Sequence, residues 1–137
     1  MQPRSRALLT VGLGAAVGSV ARYLTSLGML HLLGSTLGWG SLTVNVLGSL
    51  FIGLYATLTE PDGRLVASPA TRQFVLPGFC GGFTTFSIFS LETLLLVERG
   101  AVALAAITVV ASATSWLLAV WLGHRLGLQV NRLSRGP

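Results

Sequence analysis

Gly78-Phe79-Cys80-Gly81-Gly82-Phe83-Thr84-Thr85-Phe86-Ser87-Ile88-Phe89-Ser90-Leu91-Glu92 lies inside an apolar run from residue 73 to residue 97, and how it is read decides the fold. Adjacent glycines followed by adjacent threonines are weak helix formers, so a continuous helix through them is costly. Residue 85 is the midpoint of the run, which predicts a helix break at mid-depth if the run crosses a membrane. Lipid offers no hydrogen bonds to unwound backbone, which survives there only when buried in protein or lining a polar site. Two arrangements meet that demand. Freed carbonyls can hold a cation, as in other broken membrane helices, or the break is a packing kink in which threonine hydroxyls donate to the free carbonyls.

The rest of the chain has the same character. Of 137 residues, 52% are hydrophobic and 9% are charged, whereas a soluble domain carries roughly 25% charged residues. A water-facing surface cannot be covered with so few, which excludes an ordinary soluble enzyme. Runs at 7–33, 41–58 and 101–123 join 73–97 as stretches able to cross a hydrocarbon core, which takes about 20 helical residues. The expected fold is all-α and integral to the membrane: one four-helix transmembrane domain over residues 1–137, its third helix broken and both termini on one face. The first run also has the layout of a cleaved secretion signal, with Arg4 and Arg6 ahead of an apolar stretch and small residues at 19–21. Apolar character continuing past Arg22 to Leu33, and three later spans, favour a retained helix.

Net charge is +5, and all nine basic residues are Arg. Seven (Arg4, Arg6, Arg64, Arg72, Arg125, Arg132 and Arg135) fall on the side of the termini, Arg99 falls on the other, and Arg22 lies inside the first span. That bias predicts cytoplasmic termini. Most of these residues flank apolar runs, where they meet head groups and water, so nucleic acid is not the expected partner. Cys80 stands alone and forms no internal disulfide. The pairs Gly14 and Gly18, Ser49 and Gly53, and Ala111 and Ser115 supply small-residue steps for close helix contact.

Polar groups inside lipid ask for a partner or a function. Ser41, Asn45 and Ser49 share one face of the second span, and Thr108, Ser112 and Ser115 form a stripe on the fourth. A single Ser or Thr most often makes an ordinary bond between helices, but the Asn45 amide has two donors and two acceptor sites that one neighbour seldom satisfies. Phe86 and Phe89 are three apart on one face. Spacing alone fits core or lipid-facing rings, yet a phenyl edge is positive, and edges turned toward a pore line an anion path without a full charge. Arg22 and Glu92, the charges inside spans, approach the non-cytoplasmic end, where they pair with each other or reach water. An Arg at a pore mouth would also draw in anions.

These motifs resemble the Fluc (CrcB) fluoride channels. The likeness runs from Gly14-Ala15 to Arg22-Tyr23, through Gly40-Ser-Leu-Thr-Val-Asn45-Val-Leu-Gly48-Ser49 and the whole 78–92 stretch, to Leu118-Ala-Val-Trp-Leu-Gly123. It touches all four spans and is most specific in the third. The resemblance implies an antiparallel, dual-topology dimer in a prokaryotic cell membrane, with two pores that passively release fluoride and no enzymatic activity. It also implies a structural Na+, not transported, held at the interface by the backbone carbonyls of Gly81 and Thr84. By the same likeness Phe86 and Phe89 coordinate fluoride by their ring edges, Asn45 is a pore-lining donor, and Ser112 belongs to a hydroxyl track.

Three departures stand out. Ile88 sits where the family often has Thr, and Thr108 sits where it often has Tyr, so the polar track is interrupted or rerouted. The Arg bias opposes insertion of one chain in both orientations, which keeps two assemblies open: a homodimer, or a heterodimer with an oppositely oriented second chain. Two other functions remain beside the channel. A four-span proton-coupled exporter of cationic compounds would need a membrane-buried acid, for which Glu92 is the candidate. A partner subunit inactive by itself is the second.

Overall fold

The computed structural model describes residues 3–34 and 38–133; Arg135 and the middle of the Gly34 to Gly40 connector lie outside them. The regular elements among the described residues are all helical, with no strand among them. Helix α1 covers Pro3–Leu33 and α2 covers Trp39–Leu58. The third span is composite: α3 (Pro69–Gln73), a π-helical turn (Phe74–Cys80), α4 (Gly81–Phe83) and α5 (Ser87–Glu98). Helix α6 covers Val102–Leu133. Four of these stretches, Arg4–Leu33, Trp39–Leu58, Pro69–Glu98 and Val102–Leu133, are long and apolar enough to cross a membrane.

Local chemistry sets the limits of the third span. Ser68 caps α3, its side chain accepting from the Thr71 N–H at 3.1 Å, and Pro69 follows where a missing N–H costs nothing. Pro77 lies inside the next turn, where it cannot donate to the helical ladder, and the backbone widens to the π form there. At the far end Gly100 takes φ +77°. Its N–H donates to Val97 O and that of Ala101 to Leu96 O, both at 2.9 Å, the glycine-dependent helix stop known as the Schellman motif.

Helix α6 continues ten residues past the end of the apolar run at 123. At 1.5 Å per residue its 32 residues span about 48 Å, more than the ~30 Å hydrocarbon core. The extension is tied to the last turn of α2 and the loop after it: Asn131 Nδ2 donates to Thr57 O at 3.0 Å, and the Arg64 N–H donates to Asn131 Oδ1 at 2.9 Å. Arg72 donates from α3 to Thr59 on the same side.

Glycine makes the contacts close. A Cβ on Gly14 or Gly18 would run into the backbone of Phe74 or Phe79, and one on Gly82 into Ala15. Two small-residue steps four apart, Gly14 with Gly18 and Gly78 with Gly82, therefore cross each other. Helices α2 and α6 form the most extensive pairing. There Gly53 abuts Val120 O and Gly123 abuts Leu50 O. The third span changes neighbours along its length: its first part lies on α1, whereas α5 leans on α6 and α2. Large apolar residues such as Leu13, Leu24, Leu94 and Leu117 are exposed, while Ser41, Asn45, Thr57, Thr85 and Ser112 are buried. That inversion suits a chain whose outer face meets acyl chains.

Candidate functional site

The change of neighbours happens at Thr84–Phe86, where helical geometry stops. Thr84 is extended (φ −80°, ψ 160°) and Phe86 returns to helical angles as the residue before α5. Asn45 of α2 grips this segment at two points. Its Nδ2 donates to Thr85 O at 2.8 Å, and its Oδ1 accepts from the Thr85 N–H at 2.7 Å. The amide is 5% exposed, and each bond takes one of its two donors or one of its two acceptor sites. One Nδ2 hydrogen and one Oδ1 lone pair are left.

This clamp has a consequence for the helix behind it. In an α-helix Gly81 O accepts from the Thr85 N–H and Thr84 O from the Ile88 N–H. Here Asn45 Oδ1 takes the first donor, and Thr85 Oγ1 takes the second at 3.2 Å. Both carbonyls are thereby released from their helical partners. Helix α1 supplies donors to this end: Arg22 Nη1 donates to Thr84 O at 3.3 Å, and Ser19 Oγ lies 3.5 Å from Gly82 O. Gly81 is exposed on the surface of the chain.

Arg22 and Glu92 take different partners and do not meet. Arg22 reaches the interrupted segment, whereas Glu92 accepts a hydrogen bond from Ser41 and lies over Gly38. The two phenylalanines come together, with ring centroids 5.7 Å apart and planes tilted by 53°. Phe86 is 71% exposed and Phe89 is 7% exposed. Phe89 also meets Trp116 of α6 in a T-shaped contact at 4.8 Å.

Two cavities flank these rings. One, of about 330 Å³, is lined by Asn45, Ser49, Thr84, Thr85, Phe86 and Trp116 among others. The other, of about 480 Å³, contains Ser41, Phe89, Glu92, Arg99, Thr108 and Ser112. The aromatic contacts from Phe86 through Phe89 to Trp116 stand between them. Thr108 and Ser112 thus share a cavity with Glu92, and Asn45 shares one with Phe86. Among the described residues no group of three or more His, Cys, Asp or Glu is arranged to hold a metal. Trp116 is the lining residue that sequence reasoning passes over, because tryptophan in an apolar run reads as a lipid-facing ring.

The two cavities thus meet at aromatic rings, and the larger also carries Glu92 and Arg99 in its lining. The profile of the family described as "CrcB-like protein, Camphor Resistance (CrcB)" matches residues 9–124. The chain belongs to the CrcB family. Its relatives include a protein of Rhodopseudomonas palustris named fluoride-specific ion channel FluC 1, 50% identical over 95% of this chain and 94% of the relative. A protein of the same name from Bradyrhizobium diazoefficiens is 49% identical over 91% of this chain and 87% of its own length. The fluoride-specific ion channel FluC of Opitutus terrae is 47% identical over 91% and 95%. As a CrcB member with four spans, the chain is a multi-pass membrane protein of a family of ion channels, not enzymes.

Proposed function

We propose that this CrcB chain is a subunit of a fluoride-selective channel in the cell membrane, which passively lets fluoride out and lowers its cytoplasmic concentration. The observation that carries the reading is the meeting of Phe86 and Phe89 between two cavities, beside the Asn45 amide. The names of the relatives agree with it. A small anion gives up tightly held water to enter a narrow site, and many weak donors replace that water without trapping the ion. The donors proposed here are the ring edges of Phe86 and Phe89, the remaining Nδ2 hydrogen of Asn45, and the hydroxyls of Ser112 and Thr108. None carries a full charge. Arg22 and Glu92 act near the pathway, Arg22 through Thr84 and Glu92 through Ser41.

The subunit pairs antiparallel with a second copy, or with an oppositely oriented second chain. A two-fold axis in the membrane plane maps only mid-depth onto itself, so an interruption at the middle of the third span meets its own counterpart. Gly81 and Thr84 fit a structural Na+ at that point. Their carbonyls are neutral oxygens freed from helical bonding, and the Arg22 bond occupies one of the two lone pairs on Thr84 O. Bound there, the ion would tie the carbonyls of two subunits together. Phe89→Ile or Phe86→Ile is expected to abolish fluoride efflux from proteoliposomes while the dimer still elutes as one species. Unchanged efflux would reject the ring-edge role.

A further inference from the structure

The polar stripe on α6 does not run where Ser115 would carry it. Ser115 Oγ donates to Ser112 O at 2.8 Å, so that hydroxyl is spent on its own helix. Thr108, Ser112 and Trp116, at i, i+4 and i+8, form the continuous face instead. Thr108 and Ser112 line the larger cavity and Trp116 lines the smaller. Its indole therefore stands at the crossing from one to the other, against Phe89.

Trp116 Nε1 is buried, and among the described residues it is the one buried side-chain nitrogen or oxygen with no hydrogen-bond partner. A buried N–H without an acceptor costs free energy and calls for an explanation. The face of Phe89 is at most a weak acceptor for it. We propose that the Trp116 indole N–H donates to fluoride as the ion passes between the cavities, making Trp116 a specificity-determining residue of the channel. This rests on the fluoride-channel reading above. Because Nε1 is buried, the ion reaches it only as a neighbouring ring yields, and exposed Phe86, packed on Phe89, is the ring with room to swing. A larger halide needs more displacement and gains a weaker bond, so the contact favours fluoride.

Trp116→Phe keeps an aromatic ring and deletes the N–H, whereas Trp121→Phe alters an exposed ring on the same helix. Fluoride efflux from proteoliposomes should fall about tenfold in the first, the scale of one hydrogen bond to a charged group, and stay unchanged in the second. In the wild-type chain, indole N–H signals from ¹H–¹⁵N NMR should show the Trp116 resonance moving on titration with sodium fluoride and holding still with sodium chloride. Efflux unchanged in Trp116→Phe, or a Trp116 resonance indifferent to fluoride, would overturn the proposal while leaving the channel reading intact. A wild-type chain with no fluoride efflux would overturn both.

Discussion

Asn45 is the residue on which the site turns, because one amide satisfies both backbone groups of Thr85. Asn45→Ala would leave a buried N–H and a buried carbonyl without partners, at about 1–3 kcal/mol each. A loss of about 2–6 kcal/mol is expected in a reversible unfolding titration in mixed micelles, together with loss of fluoride efflux. Asn45→Asp separates the two bonds: the carboxylate still accepts from the Thr85 N–H but repels Thr85 O and is buried without a cation, so folding should suffer at least as much as in the alanine variant. Asn45 is legible in the sequence as a group one neighbour seldom satisfies. Its partner is not legible, since a backbone segment forty residues away becomes adjacent only when α2 crosses the third span. The same holds for Arg22 and Glu92: their presence inside apolar runs is plain, but their partners Thr84 and Ser41 depend on which helices touch.

Among the helices, the composite third span depends on backbone contact with α1 that no side chain can share. Gly18→Leu places a branched side chain against Phe79 O, where the neighbour is backbone and cannot yield. Such overpacking typically costs about 1–3 kcal/mol, and a matching fall in melting temperature in detergent is expected, with Gly12→Leu, facing open space, as the neutral control. Thr85→Ala removes the acceptor for the Ile88 N–H. Amide hydrogen exchange at Ile88 should then quicken by roughly tenfold or more, the scale of one lost hydrogen bond. Four apolar runs in the chain are enough to read four spans, and Gly14 with Gly18 reads as a packing step. The length of α6 is not readable in this way, because hydropathy ends at 123 while the helix is extended by Asn131 and its loop contacts. Nor is the end of the Ser stripe, since the Ser115 hydroxyl turns back on its own helix and Trp116 takes its place on the face.

For the whole molecule, the exposed apolar exterior suits lipid, and the two cavities with the aromatic contact between them carry mostly neutral donors, with Glu92 and Arg99 in the larger. Its assembly is open to a direct check: if Gly81 and Thr84 carbonyls of two subunits share a Na+, exchanging sodium for N-methylglucamine should lower the thermal stability of the dimer, and a dimer indifferent to the exchange would exclude the ion. The strong Arg bias makes the orientation of the partner a separate question, answered by purifying the chain alone and testing whether it forms an active dimer. If fluoride passes between the two cavities over neutral donors, those donors replace its water, and a larger halide is disfavoured. Paired efflux from proteoliposomes loaded with potassium fluoride or potassium chloride, with valinomycin to balance charge, tests it most directly. Fluoride should be released rapidly while chloride is retained; release of both at equal rates would rule out a fluoride-selective path.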